Sequence, residues 1–271
     1  MLDAEVVAFP RTKFMQKLIL VFVAVLSLGN LNTPAAQADR TKAQPTADHV
    51  IIQRRRIVLV RSPALAKEFP HRKTAVVTYP VVSGLNSPDV LRRVRSAFDF
   101  KNIFDYSLKE YREDTWLTEF SYVVNYNKDY LLDITFMQSG MGAYPDEQTR
   151  HFLINLRDGR VVKAQDVFES DKLNSLAAMV DRELQRETKR LANENKGPEG
   201  KEAVDGAYDN LKFALKDLDE FSVTPKGITF LYDAGFPHVI KALEPEGHYF
   251  FTYSNLKPYI KRNGPLGQFV K

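Results

Sequence analysis

Histidines, acids and hydroxyls are where chemistry would reside, and their spacing in this chain signals none. Five histidines occur, His49, His71, His151, His238 and His248. None has the HxH or HxxxH spacing that brings two imidazoles to one metal. His238 and His248 flank Glu244 and Glu246, which leaves one conceivable His/Glu cluster. Serine catalysis needs a strained turn of the GxSxG kind, and Ser139-Gly140 is only a dipeptide. Acids stand close together at Asp146 and Glu147 and at Asp217 and Asp219. Paired carboxylates can do acid–base work, but in turns they are ordinarily solvated. No phosphate-binding glycine loop is present. The chain has no cysteine, which excludes disulfides, thiol catalysis and iron–sulfur clusters. The sequence therefore names no catalytic residue, no cofactor and no metal site.

Two surface features remain as candidate contacts. The first is the loop holding Gly140, Met141, Gly142, Tyr144 and Pro145. Its glycines permit positive φ and close backbone approach, while Met141 and Tyr144 offer apolar area. The plain alternative is a simple strand connection. The second is Arg182, Arg186 and Arg190, one helical turn apart. Glu183 and Glu187 sit beside them, which reads as a solvated, self-compensated face. Arg92, Arg93 and Arg95 read the same way.

Several elements must position these residues. Arg55 to Val60 and Thr74 to Tyr79 read as strands, the second ending before Pro80. Ser87-Pro88 opens a helix, with serine as cap and proline in the first turn. Val90, Leu91, Val94, Ala97 and Phe98 share its inner face. From Thr115 to Tyr126 a two-residue period puts Trp116, Thr118, Phe120, Tyr122, Val124 and Tyr126 on one face. Asn127-Lys128-Asp129 turns the chain, and Tyr130 to Gln138 returns with Leu132, Ile134 and Phe136 aligned. Thr149 to Leu156 follows, then the hairpin turn Asp158-Gly159. A long helix, about Asp171 to Ala192, carries the stripe Leu173, Leu176, Ala177, Val180, Leu184 and Leu191. It is expected to cover the meander. A shorter helix is expected near Ala207 to Leu215. A hairpin around Pro225-Lys226, a strand at Tyr249 to Tyr253 and a short helix from Ser254 complete the series. The fold class is α+β, an antiparallel meander sheet packed by a long helix and shorter helices.

Export is expected from the N-terminus. Arg11, Lys13 and Lys17 precede the apolar run Leu18 to Leu28, and Ala36-Gln37-Ala38 offers the small residues a signal peptidase requires. The run is short for a membrane span. The domain plan is thus a signal peptide at 1–38, cleaved after Ala38, a linker at 39–53 and a single domain at 54–271, periplasmic or secreted. The 271-residue chain is 44% apolar and 27% charged, so it can bury a core. Its formal charge of +4 is too weak for a nucleic-acid footprint.

One resemblance rests on specific residues. The segments Ser139-Gly140-Met141-Gly142-Ala143-Tyr144-Pro145, Phe152 to Val162, Asp166-Val167-Phe168, Ile228 to Asp233 and Phe251 to Tyr259 resemble the RsiV-like extracytoplasmic domain family. The resemblance covers roughly Tyr79 to Ile260. It implies an α+β domain outside the membrane. The best-known member of that family is an anti-sigma factor whose outer domain binds lysozyme, and similar domains accompany peptidoglycan deacetylases. Tyr144 stands where the family often has histidine. The short stretch ahead of Leu18 leaves no room for a sigma-binding segment, so the expectation is an outer domain released on its own. The resulting expectation is a non-enzymatic envelope binding module, recognising a lysozyme-like protein or a cell-wall glycan. The alternatives are a peptidoglycan-active enzyme using Asp146 or Glu147, and a structural subunit of an envelope complex.

Overall fold

The computed structural model describes residues 48–195 and 206–271. The expected signal segment, most of the expected linker and part of the loop after the long helix lie outside the described residues.

Two sheets organise the chain. The larger has six strands in sequence order: β1 (Ile51–Val60), β2 (Thr74–Ser83), β3 (Leu117–Lys128), β4 (Leu131–Met141), β5 (Pro145–Asn155) and β6 (Arg160–Val161). The smaller has β7 (Phe221–Thr224), β8 (Gly227–Leu231) and β9 (His248–Thr252). All pairings are antiparallel except β2 with β3, which touch in parallel at Val76–Glu119 and Val77–Phe120. A parallel neighbour needs a crossover. After the short α1 (Pro63–Glu68), which links β1 to β2, helices α2 (Pro88–Ala97), α3 (Phe100–Phe104) and α4 (Leu108–Glu113) supply it, and Ser87 Oγ caps α2 by accepting from Val90 N.

The two faces of the larger sheet feed two cores. Leu132, Ile134 and Phe136 of β4 pack with Phe120, Ile154, Val94 and Phe98 in one. Leu131 and Leu153 point the other way, into a cluster with Phe221, Val223, Ile228 and Phe230 of the small sheet. The one-turn α5 (Ala164–Val167) and the long helix, α6 (Leu173–Glu194), join this second cluster, α6 through Leu176, Ala177, Val180 and Leu184. The cover of α6 is thus shared among the small sheet, segments such as those holding Phe168, Phe213 and Leu218, and Leu131 and Leu153 of the meander. Thr188 takes the last buried place on the stripe, while Leu191 stays half-buried. The α+β class therefore holds in this two-layered form.

Local differences from the sequence expectations have physical causes. β1 starts at Ile51, inside the span expected as linker. β2 runs on through Pro80 to Ser83. Arg61 N donates to Lys73 O (2.9 Å), and carrying that alternation along the register turns the Pro80 nitrogen away from β1. Proline removes no ladder bond there. In β3, register shifts at Leu117/Glu119 and Val124/Tyr126 break the two-residue period. Leu117 and Phe120 are buried while Thr118 is exposed, so the expected single face does not persist. Tyr126 likewise joins the second core. The expected helix at Ala207 to Leu215 is absent. Residues 206–210 form turns, and Leu211–Ala214 is held by α6 side chains: Gln185 Nε2 donates to Leu211 O (2.8 Å), and Phe213 N donates to Asp181 Oδ1 (2.8 Å). Burial of Phe213 outweighs local helix preference.

The β3–β4 turn falls later than expected, since Asn127 and Lys128 stay in β3 and Asp129-Tyr130 makes it, whereas Asp158-Gly159 turns the chain into β6 as expected. Asp129 and Tyr130 each have positive φ (56° and 62°), as a two-residue hairpin of this twist demands. Gly159 has φ +74°, and a Cβ there would lie 2.7 Å from Val90 O. Among the described residues, no helix is long and apolar enough to cross a membrane.

Candidate functional site

The contact loop singled out in the sequence is the tip of the β4–β5 hairpin, closing at the pair Met141–Pro145. Three anchors hold it. Arg72 Nη1 donates to Met141 O (2.6 Å) and Nη2 to Gly142 O (3.3 Å). Met141 N donates to Trp116 O (2.8 Å). Tyr144 stacks on His238, ring centroids 4.7 Å apart and planes 18° apart. His238 begins a 3-10 helix that runs to Leu243.

Gly140 and Gly142 do not have positive φ, which corrects one reason for expecting glycine here. The need at Gly140 is close approach: an added Cβ would sit 2.3 Å from the Trp116 ring. Gly140 is itself buried, so it positions the tip rather than touching a partner. Met141, Gly142, Tyr144 and Pro145 are exposed. Tyr144 is 61% exposed, and Val239, which follows its stacking partner His238 in the chain, is 85% exposed. Sequence reasoning missed Arg72, Trp116 and His238 as its supports, because they lie on three distant segments.

A second feature was also missed. Asp133 is fully buried on β4, on the face opposite Ile134. Its carboxylate accepts four hydrogen bonds. Oδ1 takes Asn125 Nδ2 (2.7 Å) and His151 Nε2 (2.6 Å). Oδ2 takes Ser222 Oγ (2.8 Å) and Val223 N (2.7 Å). Asn125 is the extra residue of the Val124/Tyr126 bulge, and His151 lies diagonally across the β4–β5 register. Ser222 and Val223 belong to β7, so one carboxylate clamps the two sheets together. Burying a charge is tolerated only with such complete pairing.

Beside this clamp is a cleft of about 510 Å³. Thr149, Arg150 and His151 of β5 line one wall, and Thr229, Leu231 and Tyr232 line the other. Glu220 borders it as well. The Glu220 residue surface is open to solvent in part, yet crowding at its carboxyl group raises the pKa above the usual glutamate range. Lys163, His151 and Arg150 offset that rise. Tyr144, just ahead of β5, also meets His238, which lies beyond β8 in the chain.

The remaining expected features find ordinary partners. Glu244 accepts from Phe236 N (2.9 Å) and pairs with Lys241, whereas Glu246 N donates to Glu187 Oε1 (2.8 Å). With His238 stacked on Tyr144, the conceivable His/Glu cluster does not assemble. Arg186 pairs with Glu183, and Arg190 with Glu194, so two of the three arginines of the ridge are compensated. Arg92 pairs with Asp89, Arg93 donates to Asp158 O, and Arg95 donates to Val82 O. Asp146 and Glu147 are neighbours on β5 and so face opposite sides of the sheet; they do not converge on one bond. Among the described residues, no group of His, Asp and Glu is placed to hold a metal ion.

Comparison with known proteins bears on the fold. No family model and no curated protein matches the chain. Among solved structures, a DUF3298-family protein from Bacteroides fragilis aligns with a TM-score of 0.52 at 15% identity, covering 81% of this chain and 96% of that one. Its structural neighbours are DUF3298-family proteins. A second, from Pseudomonas aeruginosa, aligns with a TM-score of 0.49 at 15% identity over the same shares. At this identity the DUF3298 likeness establishes the architecture and nothing about ligand or activity.

Proposed function

We propose that this chain is an exported, non-catalytic binding module of the cell envelope, and that it engages a protein partner through the β4–β5 hairpin tip. The observation that carries this reading is the anchored tip: Tyr144, stacked on His238, is exposed with Met141 on a backbone fixed by Arg72 and Trp116, and Val239, next to His238 in the chain, is exposed too. Rigid aromatic residues at low entropic cost are what protein-recognition patches use. The RsiV-like resemblance supports a lysozyme-like partner, with a cell-wall glycan as the other ligand class. The signal-like N-terminus supports export, with cleavage after Ala38.

Two experiments test the reading. Expressed in a bacterium as the full chain, the protein recovered from the envelope fraction or medium begins at Asp39 by intact mass. Recovery with Met1 in place would contradict export with cleavage. In the second, Tyr144 is replaced by a photo-crosslinking aromatic and exposed to lysozyme and to peptidoglycan. Crosslinking to one of them, lost when Val239 is changed to Asp, supports the tip; no crosslink to either counts against it. A peptidoglycan-active enzyme is the second reading, and turnover of wall fragments lost in an Asp146→Ala, Glu147→Ala variant would favour it.

A further inference from the structure

The cleft beside Asp133 carries polar groups whose hydrogen-bonding capacity the fold does not use. Asp133 can only accept, so His151 Nε2 carries the proton in their contact. That leaves Nδ1 as the ring's remaining polar atom, an acceptor in the neutral ring. The carboxylate of Glu220 and the hydroxyls of Thr149 and Thr229 have no hydrogen-bond partner among the described residues, and they line the same cleft. Arg150 donates only to the carbonyl of its neighbour Thr149, at 3.4 Å. The lining therefore presents unspent donors and unspent acceptors together. Its charges oppose one another, Arg150 against Glu220 and Asp233, so it favours no simple ion. Tyr232 supplies an apolar ring at the wall, packed on Phe213 with centroids 5.9 Å apart. The Asp133 clamp fixes the floor, so little ordering is needed on binding.

A larger groove of about 730 Å³ lies elsewhere, and three of its charged groups are already occupied. Lys172 Nζ donates to Pro258 O (2.6 Å), Lys261 Nζ to Gln165 O (2.6 Å), and Asp166 Oδ2 accepts from Lys163 N (2.9 Å). The cleft is smaller but within the range of small-molecule sites, and the side-chain oxygens of Glu220, Thr149 and Thr229 stay without partners among the described residues.

We propose that the cleft between β5 and β8 is a binding site for a neutral, polyhydroxylated ligand, one or two sugar rings. A sugar hydroxyl both donates and accepts, which matches the mixed set of Glu220, Arg150, Thr149 and His151. The C–H face of a pyranose suits the Tyr232 ring. The site stands independently of what the hairpin tip recognises.

Calorimetric titration of the purified protein with the β-1,4-linked disaccharide of N-acetylglucosamine, and separately with cellobiose, tests this. Saturable binding with a dissociation constant of about 1 mM or tighter is expected for at least one of them. Binding of the first alone assigns an amino-sugar site, and comparable binding of both a general glycan site. Thr149→Val and Glu220→Gln, both at solvent-facing positions, are expected to weaken binding about tenfold each, the first without shifting the unfolding midpoint and the second without lowering it. Tyr144→Ala leaves the sugar affinity unchanged even where it abolishes the tip's interaction. No saturable binding of either disaccharide, affinity indifferent to both cleft variants, or preferential binding of inorganic phosphate would each overturn the proposal.

Discussion

The Asp133 junction and the β4–β5 tip lie on the same strand pair and are built on opposite terms. At the junction a carboxylate is wholly buried and every oxygen is used twice. At the tip the backbone is pinned by Arg72 and Trp116, but the side chains of Met141 and Tyr144 are left to solvent. The junction joins two sheets that apolar packing alone would leave free to slide. The tip projects from that fixed base. A surface meant for a partner benefits from such a base, because rigidity lowers the ordering cost of association. The comparison separates residues that should fail by unfolding from residues that should fail only by losing contacts.

The largest effect is expected at the junction. Asp133→Ala leaves His151, Asn125, Ser222 and Val223 N without their acceptor. Breaking a buried, hydrogen-bonded charge pair costs about 3–5 kcal/mol, to be read from the urea midpoint. A loss below ~1 kcal/mol would mean the clamp carries no stability. Next is Gly140→Ala, whose methyl group must displace the Trp116 ring. Overpacking of this kind costs about 1–3 kcal/mol, and quenching or shift of fluorescence from Trp116, the sole tryptophan, reports the displacement. Arg72→Met comes third. It removes two bonds to carbonyls at an exposed site, worth about 1 kcal/mol. Its sharper readout is faster amide exchange at Met141 and Gly142, with the junction unchanged.

Smaller still is a pH effect at Glu220. Its folded pKa is raised by desolvation, so the folded state holds its proton to higher pH than the unfolded chain. Stability from this group is then present at acid pH and declines as pH rises through the window just above the ordinary glutamate range. Glu220→Gln should flatten that part of the stability–pH curve. An unchanged slope would show the carboxylate to be fully solvated. The smallest stability effect is Tyr144→Ala, within about 0.5 kcal/mol of the parent, even though partner binding falls.

Much of the architecture was legible because local signals agreed with tertiary demand. Leu132, Ile134 and Phe136 alternate in sequence and all lie in one core. Ser87-Pro88 starts α2, and Asp158-Gly159 makes its hairpin. The errors arose where tertiary contacts overrode local pattern. The two bulges of β3 each add one residue that composition does not announce. Leu211 to Ala214 is held out of a helix by Gln185 and Asp181, which lie on α6. The site was half legible. Tyr144 and Met141 stand out as exposed apolar types in a turn, but Gly140 was assigned to contact when its place is beneath Trp116. The Asp133 clamp draws on residues 125, 133, 151 and 222, a spacing that no motif describes. One trace was available: an acid between Leu132 and Ile134 in a strand buried on both faces must be paired by something.

The account turns on the tip being a recognition surface. Its most direct test is calorimetric titration of a Thr149→Val, Glu220→Gln protein, whose sugar cleft is weakened, with lysozyme and with soluble peptidoglycan fragments, repeated with Tyr144→Ala added. The account predicts saturable binding to one of the two and at least a tenfold loss of affinity in the variant, with the unfolding midpoint unchanged. Binding of equal strength in parent and variant, or none to either ligand, would contradict it.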